Sequence, residues 1–100
     1  MRQAYLVEEF RYLAEGNGRI VERAVREPTV HVVGNPTNLI ERTKRFFELQ
    51  ISNATSPSAL RFDGVRIVRD SDGEIIFRAT VREFWDVIHT PNSGTAGAKR

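Results

Sequence analysis

The sequence predicts an α+β domain in which three N-terminal helices pack on one face of a curved, mostly antiparallel sheet, ending early at the C-terminus. Three observations predict it. Apolar residues recur with a helical period over 3–15, 19–26 and 37–49. β-Branched residues crowd into Thr29-Val30-His31-Val32-Val33. The last third alternates about Asp70-Ser71-Asp72-Gly73, a turn with glycine where positive φ is wanted.

Each element has its own warrant. Over 3–15, Leu6, Val7, Phe10, Leu13 and Ala14 form one helical face, and Gly16-Asn17-Gly18 supplies a C-cap. Ile20, Val21, Ala24 and Val25 do the same over 19–26, where Pro28 stops the helix. The short strand 29–33 leads through the turn Gly34-Asn35-Pro36 to a third helix, capped by Thr37 or Asn38. Its apolar face is Leu39, Ile40, Thr43, Phe46, Phe47 and Ile51. A polar loop, 52–59, precedes a hairpin whose strands run over 60–69 and 74 to about 87. Ile75, Phe77, Ala79, Val81 and Trp85 share one face of its second strand; residues 84–88 also fit a helical period. The domain is expected to span 1–89, with 90–100 a flexible loop or tail.

Composition narrows the function. At 100 residues, 40 % apolar and 28 % charged, the chain has one ordinary globular domain's worth of sequence. Cysteine is absent, which excludes a disulfide framework and thiol catalysis. No apolar run reaches the ~18 residues of a membrane span, and no basic-then-apolar leader is seen, so the expected location is cytoplasmic. The pI near 9.5 suggests a polyanion partner. Residues 1–90, however, hold 13 basic and 13 acidic side chains, and the +2 excess is Lys99 and Arg100. Acids are interleaved with bases along the chain, which argues against nucleic acid.

With its punctuation, this order of elements resembles the SnoaL-like polyketide cyclases within the nuclear-transport-factor-like superfamily. The resemblance rests on Leu13-Ala14-Glu15-Gly16-Asn17 as the small-residue turn and Glu27-Pro28-Thr29 through Gly34 as the first strand. Asn38 through Phe47 looks like the third helix, Leu60-Arg61-Phe62 through Val81 like the first long hairpin, and His89-Thr90 with Gly94 through Arg100 like the loop after it. It implies a cone-like sheet enclosing a pocket for a small hydrophobic molecule, commonly in a homodimer, with proton transfer at a carbonyl or epoxide where members are enzymes. The final hairpin of such proteins is missing, which leaves a sheet edge for a partner to cover. The inward aspartate and tyrosine of steroid-isomerase-like relatives have no counterpart: strand 29–33 carries no carboxylate, and Glu9 and Phe10 stand at the nearest positions to the tyrosine.

Candidate residues follow. His31 is a polar group for a pocket wall, and Glu83 shares a period-two row with Phe77, Ala79, Val81 and Trp85, where desolvation would raise its pKa for general acid or base work. Phe10, Phe47, Phe77 and Trp85 are the expected ligand-binding lining. His31, Glu83, Asp86 and His89 lack metal-ligand spacing, and neither a metal nor a cofactor is expected. Two functions compete: a hydrophobic-ligand pocket protein, and a non-catalytic interaction or assembly module. A hairpin face bearing Arg66, Arg78 and Arg82 offers nucleic acid only a distant third.

Overall fold

The computed structural model describes residues 2–89, so the expected tail 90–100 lies outside the described residues. The first element is the strand β1 (Gln3–Ala14), where a helix was expected. The register of β1 with its neighbours explains the misreading. Tyr5, Val7 and Glu9 face one side of the sheet and Leu6, Glu8 and Phe10 the other, and both sides are at least half-buried. A strand covered on two faces loses its apolar–polar alternation, and the residues left over mimic a helical stripe.

Gly16-Asn17-Gly18 is a hairpin turn rather than a helix cap. Gly18 sits at φ +83°, and its N–H donates to Glu15 O at 2.8 Å while Glu15 N–H donates to Arg19 O at 2.7 Å. The chain returns as β2 (Ile20–Ala24), again a strand in place of an expected helix. Pro28 interrupts a strand instead of ending a helix. Beyond it β3 (Thr29–Val33), a strand as expected, continues along the same edge of β1. β2 therefore pairs with Phe10–Ala14 and β3 with Gln3–Val7.

Helix α1 (Thr37–Asn53) matches the third expected helix and runs one turn further. Its first turn is tied by Asn35, whose Oδ1 accepts the Thr37 N–H at 2.9 Å and hydroxyl at 2.7 Å, in place of capping by Thr37 or Asn38 themselves. A 3₁₀ turn, Pro57–Ala59, leads to β4 (Gly64–Arg69), which pairs with the free side of β1. β5 (Ile75–Thr80) completes the hairpin through a turn with Gly73 at φ +75°. The second strand does not continue to residue 87. Helix α2 (Val81–His89) begins directly after Thr80.

Among the described residues the result is a five-stranded antiparallel sheet in the order β2-β1-β4-β5, with β3 also on β1, and two helices, not three, lie on it. Phe47 and Ile51 of α1, with Val81, Phe84, Trp85 and Ile88 of α2, pack on Leu60, Phe62, Val65 and Ala79. Leu39 packs on Tyr5 and Ile67. Phe47 stacks on Phe62 with ring centroids 5.6 Å apart and meets Phe84 edge-on at 5.3 Å. The expected cone of three helices around a curled sheet is thus replaced by two layers. The α+β class stands.

The far face of the sheet holds an ionic lattice over one buried ring. Arg66 bridges Glu8 at 2.7 Å and Glu22 at 3.0 Å, and Arg78 pairs with Glu22 and donates to the Tyr12 hydroxyl at 2.8 Å. Both guanidiniums lie over Phe10, at 5.5 and 5.3 Å, and Tyr12 meets that ring edge-on. Phe10 has no exposed surface. Hydrogen bonding to Glu22 holds the Arg78 pKa above its usual value. Of the arginines expected to offer the hairpin face to nucleic acid, Arg66 and Arg78 are partnered by acids of β1 and β2, and Arg82 lies not on the hairpin but in the first turn of α2.

Candidate functional site

The sequence-predicted residues do not converge. Phe10 lies under the arginines of the far face, while Phe47 and Phe77 are packed on the helix side. Trp85 stacks on His89 at 3.9 Å, and the His89 Nε2 lies 2.7 Å from Ile51 O, fastening α2 to the end of α1. Glu83 and His31 line different hollows.

Glu83 serves the helix it begins. Thr80-Val81-Arg82-Glu83 is a capping box: Glu83 Oε1 accepts the Thr80 N–H at 3.1 Å and hydroxyl at 2.8 Å, and the Glu83 N–H donates to Thr80 Oγ1 at 3.2 Å. These bonds, chiefly the Thr80 hydroxyl, hold the Glu83 carboxyl below its ordinary 4.5, the opposite of the rise expected from burial. Because the folded value is depressed, the contribution is present above pH ~4.5 and is lost as pH falls through the folded value. Glu83→Gln is therefore expected to be less stable than wild type at pH 7, with the gap closing as the pH falls through the depressed folded value. Urea unfolding across an acid pH series measures it; a gap independent of pH would remove the charged cap. Thr80→Ala should cost about 1 kcal/mol at neutral pH.

His31 does stand at a pocket wall. On β3 it faces Tyr5 across the ladder, on the helix side of the sheet. The hollow beside it, about 280 Å³, lies between Val7, Thr29 and His31 below and Leu39, Arg42, Thr43 and Phe46 of α1 above. Its formation follows from Pro28. The chain leaves β1 after Val25, whose N–H donates to Glu9 O at 2.9 Å, and rejoins it at Thr29. The detour carries Arg26 and Glu27 over the helix side.

At the base of this hollow Glu9 is 7 % exposed. Arg61 donates to both of its oxygens, at 3.1 and 3.2 Å, and Arg26 approaches the same carboxylate at 3.3 Å. A buried carboxylate clamped by two guanidiniums is an anchor: both oxygens are occupied, and in return it fixes the direction of two long side chains. No linear pattern announces this triad, because Glu9, Arg26 and Arg61 come from three separate segments. Among the described residues no group of three or more His, Asp or Glu is placed to hold a metal ion, and no helix is long and apolar enough to cross a membrane.

Comparison with protein-family models, with curated proteins and with solved structures found no match to this chain. The fold and its surfaces therefore carry the functional argument.

Proposed function

We propose that this protein is an interaction module that assembles as a homodimer, rather than an enzyme acting on a hydrophobic ligand. The observation that carries it is the free edge of β3. The odd-numbered residues of β1 bond to β3, so Thr29, His31 and Val33 turn their backbone inward, and Val30 and Val32 turn theirs away from the sheet. This edge, Thr-Val-His-Val-Val, has no formal charge, and the Val30 and Val32 side chains are 59 % and 52 % exposed. Such an edge is a template for another strand.

A second copy fits this template. Only residues 30 and 32 present outward N–H and C=O groups within the strand interior. An antiparallel pair about a two-fold axis at His31 sets Val30 of one copy opposite Val32 of the other, where both backbone bonds are exchanged. The valines then extend the apolar strip of Leu6 and Val68 on the far face, and Glu8, Glu22, Arg66 and Arg78 beside it are mutually neutralised. Like copies meet there without repulsion. Arg2, whose guanidinium donates to Val32 O at 3.0 Å, guards the edge and must release it.

Light scattering on a sizing column tests this. Wild type is expected to run as a dimer, Val30→Glu/Val32→Glu as a folded monomer with unchanged circular dichroism, and Arg2→Ala as a tighter dimer. A wild-type monomer at the highest soluble concentration, or a dimer indifferent to the double substitution, would remove the proposal.

A further inference from the structure

Interleaved along the sequence, the charges separate in space. Three hollows follow one another along the seam where α1 and the loop 61–63 stand over β2 and β3. The first, at the sheet end, is lined by Arg11, Arg23, Arg26 and Arg61; the second is the Glu9 hollow, which shares Arg26; the third shares Leu39 and Arg42 with the second and adds Arg2 and Arg45. Seven arginines border the seam. The acids within it or paired to its arginines are Glu9, Glu27, Glu41 and Asp63. The described chain is neutral as a whole, so this side carries an excess of positive charge and the rest a matching deficit. A positive stripe of this kind attracts polyanions.

Two local features indicate that the stripe is built for a ligand. Arg11 and Arg23 stand directly opposite each other on β1 and β2, facing the same side. Like charges in that relation destabilise a sheet. Arg11 is turned toward Asp63, at 3.7 Å, and Leu60 O, while Arg23 is exposed and points into the first hollow. At the middle of the seam, flanked by Arg42 and Arg45, Phe46 is 45 % exposed. Its neighbour Phe47 fills the core, so the paired aromatics divide into one ring for folding and one ring facing the seam.

We infer that this seam binds single-stranded nucleic acid, with backbone phosphates on the arginines and an unpaired base stacked on Phe46. Guanidiniums match phosphate oxygens in a bidentate fork, and an accessible aromatic ring amid them is the stacking platform that an acidic protein surface would leave unused. The ring lies in a recess between helix and sheet, which admits a base only when it is unpaired. Binding at the seam does not require the dimer.

The test is fluorescence anisotropy of a labelled oligo-deoxythymidine of about 12 nucleotides, a length within the usual range for such sites. The same strand in duplex and a poly-glutamate peptide serve as the other probes. Wild type is expected to bind the single strand best, with affinity falling steeply with salt. Arg23→Ala/Arg42→Ala/Arg45→Ala, all exposed positions and none of them paired with Glu9, should weaken binding and lower the salt slope by about 0.7 for each phosphate no longer neutralised. Phe46→Ala should lose on the order of tenfold affinity at an unchanged slope. The inference fails if the single strand does not bind in a salt-dependent way, if the triple variant binds as wild type does, or if poly-glutamate binds as tightly and Phe46→Ala changes nothing. That last outcome would assign the seam to an acidic protein.

Discussion

Gly64→Ala is expected to destabilise the protein by about 3 kcal/mol, at the top of the range for overpacking, and to lower the melting temperature by roughly 12–24 °C. A Cβ at this position would lie 2.3 Å from the Phe10 ring and 2.7 Å from the backbone oxygen of Ala79. Neither neighbour can yield. Phe10 is fully buried beneath Arg66 and Arg78, which are themselves held by Glu8 and Glu22. Ala79 O belongs to the β4–β5 ladder. Thermal unfolding followed by circular dichroism checks the effect. Adding Phe10→Leu should restore part of the loss by relieving the ring contact, leaving the backbone contact in place. A melting temperature within about 2 °C of wild type would mean that Phe10 does not rest on Gly64.

Phe47→Ala should cost about 4 kcal/mol, a typical value for a buried aromatic, against a total stability of about 5–15 kcal/mol for a domain. The ring is 1 % exposed and joins three parts of the structure at once: α1, which bears it, Phe62 ahead of β4, and Phe84 of α2. Its loss leaves a cavity that neither helix can close without leaving the sheet. Urea unfolding should show a midpoint shifted far toward zero denaturant. Phe46→Ala, one residue away, should change stability by no more than about 0.5 kcal/mol, as exposed positions do. A similar cost for both would overturn the division of labour between the two rings.

That division also separates the two proposed surfaces. The β3 edge and the far face are uncharged or internally neutralised, which suits a copy of the same chain. The seam on the helix side is unbalanced, which suits a partner of opposite charge. Pro28 contributes to both. By breaking the long edge strand it limits β3 to a short uncharged segment and lifts Arg26 and Glu27 over Glu9.

Local chemistry marked several elements in the chain itself. The β-branched run 29–33, the periodic stretch 37–49 and the Asp-Gly turn at 72–73 are a strand, a helix and a hairpin turn in the structure, because each depends on residues near in sequence. Two other local signals were equally present and outweighed by apparent periodicity: Asn17-Gly18 as a hairpin turn, by a helical period, and Thr80-x-x-Glu83 as the start of α2, by a period-two row. Long-range pairing decided the rest. Glu8 and Glu9, outside the apolar face of the helix expected over 3–15, are strand residues held by arginines 17 to 58 positions away. The positive seam has no linear trace, since its arginines alternate with acids until antiparallel pairing and the crossing of α1 sort them in space. Periodicity and turn chemistry could determine the α+β class, the third helix and the last hairpin, because those follow from backbone preferences over a few residues. Which face each charge occupies, and so which surfaces this protein can offer, was decided by strand register, in which a shift of one residue exchanges the two sides of a sheet.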